Sequence, residues 1–312
     1  MSQSDRLTGE FAFIDWIRRQ TASDVRVPIG IGDDTAAIRF TPGREVLVTT
    51  DMILDGVHFN SSSTPARLIG RKALAVNLSD IAAMAGVPVA AVVSVGLPDG
   101  FARTAAEDLY AGMRELADEF RVAIVGGDTN RSTSGVVICI TLLGEATARG
   151  PVRRNGARPG DWIMATGTFG GSILGKHLNF TPRVREALLL AEKYDLHAMI
   201  DVSDGLAADL GHIVEESGCG AVLKAAAIPV GRMVGQIAGD ESRLASAFYD
   251  GEDFELLFTL PPHDGQRLLA EKPLDVTVSR FGEITTGEGL ILEWENGIRR
   301  PLEPRGYDHF RH

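Results

Sequence analysis

The sequence predicts a two-domain protein of mixed α/β (α+β) class, and three observations lead there. β-branched runs of strand length alternate with amphipathic runs of helix length along the 312 residues. The chain is 44% hydrophobic and 23% charged, enough apolar material for ordinary cores. Near the middle, TARGPVRRNGARPGD (147–161) is rich in Gly, Pro and Arg and marks a linker. The boundary falls near 148, so the expected domains are 1–148 and 149–312.

EVLVTTDM (45–52) alternates and is β-branched, a strand with Thr49 and Asp51 on one face and Thr50 on the other. ARLIGRKALAVNLSDIAAMAG (66–86) reads as a helix ending at Gly86, with Asn77 and Asp80 sharing a face. VAAVVSVGL (89–97) looks like a buried strand. RTAAEDLYAGMRELADEF (103–120) is helical, its stripe being Leu109, Met113, Leu116 and Phe120. RVAIVGGD (121–128) is a strand that breaks at two glycines, and GVVICITLLGEA (135–146) is another strand. The second half repeats the style. It opens with the strand DWIMATG, has helices around 183–199 and 205–217, and has strands near 221–228, 253–260 and 289–294. NLSDIAAM (77–84) echoes DVSDGLAA (201–208), and VGGD (125–128) faintly echoes DGE (250–252). Duplication and chance matching of short words explain these echoes equally well.

Composition excludes several classes. The net charge of −11 argues against nucleic acid, which needs a basic stripe. The longest apolar run, VPVAAVVSVGL (87–97), is too short to span a bilayer, and MSQSDRLTGEFAFIDWIRRQ lacks the apolar core of a signal peptide. Neither Cys139 nor Cys219 sits in a CxxC, so both read as buried free thiols of a reducing cytosol. A cytoplasmic protein with no membrane or nucleic-acid partner is expected.

The chemistry sits in the acids. GIGDD (30–34) sets Asp33 and Asp34 after two glycines, with no Lys or Arg among them. Asp51, Asp80, Asp128, Asp201, Asp204, Glu252 and Asp253 follow at strand ends and glycine turns. Singly, each could be a turn residue or helix cap, and Ser79-Asp80 and Ser203-Asp204 both have the form of caps. Together they would repel one another unless a cation sat among them. Oxygen-only ligands favour magnesium, and the lack of a His/Cys cluster argues against zinc. Gly30, Gly32, Gly126 and Gly127 let backbone approach a phosphate closely, which gives the pattern of a magnesium-nucleotide site. Lys72 and Arg154 are the cations that could meet phosphates directly. GGSILGKH (170–177) nearly spells a P-loop, but His177 stands where the magnesium-binding hydroxyl belongs. It reads as a turn and helix with Lys176 solvated.

GIGDD, TTDMILDGVHF, GRKALAVNLSDIAAM, VGGDTN, RRNGARPGD, IDVSDGL, GEDFELLF and the terminal GYDHF stand in one order over nearly the whole chain. In that order and spacing they resemble thiamine-monophosphate kinases. The resemblance implies an aminoimidazole-ribonucleotide-synthetase-like fold, with the N-terminal domain pairing with that of a second subunit. It also implies transfer of phosphate from ATP to thiamine monophosphate. By the same resemblance, magnesium ligands fall on Asp34, Thr49, Thr50, Asp51, Asp80, Asp128, Asp201 and Asp204. ATP contacts fall on Tyr110, Gly127, Asp128, Arg154 and Ser203, and substrate contacts on His58, Glu252 and Tyr307. Thr35, Asn130, Asp250 and Phe254 depart from the family's usual residues without removing a ligand.

These residue types suit phosphoryl transfer. A phosphate-monoester acceptor has a second pKa of about 6, so it is already ionised at neutral pH and needs no general base. Bringing two polyanions together is the difficulty, and metal ions answer it. An aromatic such as Tyr307 could stack on a thiazolium, and Glu252 could offset its charge. Relatives that make selenophosphate or dehydrate a cysteine tail use Cys near a terminus, whereas this sequence has none before Cys139 and ends HFRH. Ring closure by an aminoimidazole ribonucleotide synthetase is the enzymatic runner-up, and GYDHF and GEDFELLF speak against it. A non-catalytic magnesium-ATP sensor would need fewer acids.

Overall fold

The computed structural model describes residues 10–21, 23–232, 234 and 240–310. Residues 1–9 of the stretch read for a leader lie outside these described residues. The chain divides into two compact units, one of residues up to 81 with 86–150, the other of 82–85 with 151 onward.

The first unit runs α1 (Glu10–Gln20), β1 (Val46–Leu54), α2 (Ala66–Ala83), β2 (Val87–Pro98), α3 (Arg103–Phe120), β3 (Ala123–Ser132) and β4 (Val137–Glu145). Its sheet has the order β1-β4-β2-β3. β4 pairs antiparallel with β1 and β2, while β2 and β3 are parallel and joined through α3, because parallel neighbours need a long crossover. Period 2 sorts β1 as expected. Thr49 lies opposite Leu142 and Asp51 opposite Ile140, on the face where Ile138, Ile140 and Leu142 are buried. Val48, Thr50 and Met52 lie opposite Leu143, Thr141 and Cys139 on the other face, where Val46, Val48 and Met52 are exposed.

Three expectations for this unit are corrected. β3 does not break at Gly126 and Gly127 but runs on to Ser132. The irregularity is absorbed by a bulge, since Ala91 pairs with Ile124 and Val92 with Gly126, leaving Val125 unpaired. β2 is buried at 88–91 and at Leu97, whereas Val92–Gly96 between them are half-buried or exposed. Cys139 is a half-buried free thiol on the outer sheet face, and only Cys219 is buried.

α3 buries the expected stripe of Leu109, Met113, Leu116 and Phe120. It crosses α2 with backbones touching. A Cβ on Gly70 would lie 1.9 Å from the Leu109 carbonyl oxygen, and one on Gly112 would lie 1.9 Å from that of Arg67.

The second unit runs β5 (Trp162–Thr166), α4 (Lys176–Asn179), α5 (Val184–Lys193), β6 (Ala198–Asp201), α6 (Leu206–Ser217), β7 (Gly220–Lys224), α7 (Asp240–Tyr249), β8 (Leu256–Leu260), α8 (Pro262–Glu271), β9 (Val278–Thr285), β10 (Gly289–Glu293) and β11 (Arg299–Leu302). Its seven strands have the order β11-β10-β7-β9-β5-β8-β6, with β10 and β7 parallel and the other pairs antiparallel. α6 packs its buried Leu206, Leu210 and Ile213 into the core beneath.

The expected helix 183–199 stops at Lys193. Tyr194 is extended (φ −125°, ψ 154°), held by its hydroxyl on Glu271 at 2.8 Å and by Arg267 over its ring. Residues 198–201 are instead β6, paired with β8. The strand expected at 221–228 ends at Lys224 in a 3₁₀ turn, Ala225–Ala227. The strand expected from 253 begins at Leu256, because Gly251, Glu252 and Phe254 all take positive φ (72°, 55° and 50°), which a strand cannot hold. Among the described residues, no helix is long and apolar enough to cross a membrane.

Gly112→Ala should destabilise the protein by about 3 kcal/mol, since a backbone carbonyl rather than a movable side chain faces the new methyl. The urea midpoint measures this. An unchanged midpoint would show that the crossing can open.

Candidate active site

In the first unit a pocket is walled by apolar side chains of α1 (Ile14, Ile17), β2 (Val93, Val95) and α3 (Met113). Tyr110, Gly127 and Asp128 also line it, so three expected nucleotide contacts converge there. Tyr110 is fixed from two sides, by the edge of Trp16 (5.6 Å between centroids) and by the Thr21 hydroxyl at 3.1 Å. Gly127 must be glycine, because a Cβ would lie 1.8 Å from the Val93 carbonyl oxygen. A mostly apolar slot with few polar groups and bare backbone suits a flat aromatic ring.

The acids of this unit are split by the sheet. Thr49 donates its hydroxyl to the Asp80 carboxylate from α2, and Asp51 stands two residues further along the same face of β1. Thr50 faces the other way, with its hydroxyl 3.1 Å from that of Thr141. Asp128 lies in the row of Ser94, and its carboxylate accepts the Asn130 amide. The departure at Asn130 therefore supplies a donor for an expected ligand. Asp34 is exposed and gives its N–H to Asp33 at 2.9 Å. The GIGDD stretch does have a cation beside it: a Cβ on Gly32 would sit 2.7 Å from the guanidinium carbon of Arg18. Sequence separation hid that residue.

Two first-unit expectations change. Lys72 is fully buried and donates to the His58 carbonyl at 2.7 Å, so it braces a turn instead of facing phosphate. Ser79-Asp80 lies within the closing turns of α2, where an N-cap has no role. His58 accepts the Leu54 N–H on Nδ1 at 3.1 Å, which leaves Nε2 as its donor.

In the second unit a backbone knot gathers four expected residues. The Glu252 N–H donates to the Ser203 carbonyl at 2.7 Å, and the Tyr307 N–H donates to the Asp204 carbonyl at 2.9 Å. The half-exposed Tyr307 ring packs edge-on against His309. Phe254, one of the departures, stacks on Phe180 at 4.2 Å and anchors the strained 251–254 turn. Burial raises the Asp204 pKa, while His212, His309 and Arg154 oppose the rise, so Arg154 lends positive charge to this site. Ser203-Asp204 is not a cap, because Gly205 holds that position with no side-chain bond.

Two acids of this unit were missed or misread. Asp209, buried in the first turn of α6, accepts the N–H groups of Ser203, Asp204 and Gly205 on one oxygen. Burial raises its pKa well above the usual range, and the nearby Asp201 and Asp204 add to the rise. Asp253 fills the would-be P-loop from within, accepting the Gly170 N–H at 2.9 Å and the Ser172 hydroxyl. Burial lifts its pKa to about 6. Lys176 is half-buried and paired, not free in solvent. It pairs at 2.8 Å with buried Glu255, which also takes Arg183 and Thr166. Burial works to raise the Glu255 pKa, but Arg183 and Lys176 together hold it below the ordinary value. An anion cradle already holding a carboxylate cannot take a phosphate.

Among the described residues, no three His, Cys, Asp or Glu side chains close into a metal cage. Magnesium needs none, because it keeps waters and binds one or two carboxylates alongside phosphate. Asp51 and Asp80 with the Thr49 hydroxyl are an all-oxygen set of that kind. The residues fit the ion.

Residues 32–146 match the model of the AIR synthase related protein N-terminal domain, and 158–295 match that of its C-terminal domain. Thiamine-monophosphate kinase of Rhodopirellula baltica is 38% identical over 309 residues, spanning 96% of this chain and 97% of that protein. The crystal structure of thiamine-monophosphate kinase from Stenotrophomonas maltophilia K279a superposes with a TM-score of 0.80 at 34% identity, covering 91% of this chain and 96% of that one. A structure described as AaThiL complexed with AMPPCP and TMP superposes with a TM-score of 0.75 at 30% identity, covering 99% and 100%. On this sequence and fold evidence, the chain belongs to the thiamine-monophosphate kinase family.

Proposed function

We propose that the chain moves the γ-phosphoryl group of ATP directly onto the phosphate of thiamine monophosphate, giving ADP and thiamine diphosphate. The observation that carries this reading is the knot joining Ser203, Asp204, Glu252 and Tyr307 by backbone hydrogen bonds. The likeness to a structure complexed with AMPPCP and TMP supports it. The active domains are 1–148, for ATP, metal and dimerisation, and 149–312, the C-terminal α/β domain.

The nucleotide contacts are Tyr110, Gly127 and Asp128 among the residues of the first unit, and Arg154 and Ser203 among those of the second. Asp34, Thr49, Thr50, Asp51, Asp80, Asp128, Asp201 and Asp204 hold magnesium. When bound, magnesium offsets the charge of the reacting phosphates and aligns them. Tyr307 stacks on the flat cationic end of the acceptor, while Glu252 and His58 orient it. No residue need remove a proton, because the acceptor phosphate is already ionised at neutral pH, its second pKa being about 6. The sequence offers no motif that pairs a serine with a histidine as an activated nucleophile, which supports transfer without a phospho-enzyme. The chain works in the cytoplasm as a homodimer. Exposed Val46, Val48 and Met52 on edge strand β1 support pairing through the first unit's outer sheet face.

γ-Labelled ATP tests the reaction. Label should reach thiamine monophosphate only with magnesium, and Asp51→Asn should nearly abolish transfer while leaving the fold intact. Label trapped on the protein without acceptor, or passed efficiently to free thiamine, would overturn direct transfer to a phosphate.

Lys176→Ala should leave kcat/KM for ATP nearly unchanged. Its cost should be stability, about 1–2 kcal/mol in the thermal or urea midpoint, because Glu255 keeps Arg183 and Thr166. A loss of activity worth about 3–4 kcal/mol would restore the P-loop reading.

Sedimentation should find a dimer at micromolar protein, and Val48→Glu should shift it toward monomer. A wild-type monomer under those conditions would refute the pairing.

A further inference from the structure

The turn between β6 and α6 turns three successive N–H groups inward. Those of Ser203, Asp204 and Gly205 meet one Asp209 oxygen at 3.1, 3.1 and 3.2 Å. Such a cup at a helix start ordinarily takes an anion from outside. Here a buried carboxylate of the same helix fills it. Of the turn's carbonyls, that of Ser203 receives Glu252 and that of Asp204 receives Tyr307. Neither junction has slack: a Cβ on Gly251 would lie 2.7 Å from the Ser203 oxygen, and one on Gly306 2.1 Å from the Asp204 oxygen. One side chain thus governs a turn on which two segments distant in sequence are seated.

We propose that Asp209 is a positioning residue for the acceptor site. By fixing the N–H side of the turn, it fixes the carbonyls that seat Glu252 and Tyr307. This rests on the reading of those two residues as acceptor contacts. Without the carboxylate, three donors lose their acceptor in a half-buried turn, and the turn rotates to find water. Both seats then move together.

The test uses the full chain, with calorimetric binding of thiamine monophosphate in magnesium and AMPPCP, alongside amide exchange. Asp209→Ala should weaken thiamine monophosphate binding about tenfold or more and speed exchange at the Glu252 and Tyr307 amides by a similar factor. Asp209→Asn keeps an acceptor oxygen and should restore both to within about threefold of wild type. A folded Asp209→Ala protein with wild-type binding and unchanged exchange would overturn the proposal. Should that variant not fold, wild-type exchange decides. The amides of Ser203, Asp204, Gly205, Glu252 and Tyr307 should open as one unit, and independent opening of Glu252 or Tyr307 would overturn it. A wild-type protein that refuses thiamine monophosphate would refute the acceptor reading instead, while the exchange pattern still decides the hold of Asp209 on the two segments.

Discussion

Buried carboxylates in the second unit must each be met by donors, and its loops are arranged around that requirement. Asp161 takes the Arg158 N–H and the His197 ring, Asp264 takes the Asp195 N–H, Asp253 takes Gly170 and Ser172, and Glu255 takes Arg183, Lys176 and Thr166. Most of these bonds join segments remote in sequence. Leaving any one acid unmet would cost several kcal/mol, roughly 3–5 where a buried ion pair is broken. The carboxylates therefore act as staples.

The same requirement decides what the near P-loop is. Its glycines do make the turns that a phosphate cradle needs, with Gly170 and Gly171 at φ 84° and 73°. What the motif cannot reveal is that Asp253, more than eighty residues away, already sits in the cup. A missing hydroxyl at His177 hinted at this. The geometry supplies the reason, and gives Lys176 a buried acid as its partner in place of a nucleotide.

Legibility in the sequence followed how local each cause was. The faces of β1 and the stripe of α3 were readable because periods of two and three to four residues need no partner to be visible. The order of GIGDD, VGGDTN, GEDFELLF and GYDHF carried the family, and so named the candidate residues before any contact was known. β6 was hidden because AMID is too short to show a period and follows a helix without a breaker. The run of β3 through Gly126 and Gly127 was hidden because the bulge lies at Val125, an ordinary strand residue. Lys72 and Lys176 were misread because a sequence displays charge but not the burial of the one or the buried acid that pairs with the other. Asp209 escaped notice because an acid in a first helical turn already has a sufficient local reason in the helix dipole.

The crossing of α2 and α3 at Gly70 and Gly112 has a mechanical meaning. Two helices separated by side chains can slide, because rotamers yield. Two helices whose backbones touch at a pair of glycines are keyed, since a shift along either axis drives a β-carbon into a carbonyl. Asp80 rides on one of these helices and Tyr110 on the other. Their spacing is thus set by main chain and does not depend on the side chains packed around them. Whatever else in this unit adjusts to a ligand, the keyed pair holds that spacing fixed.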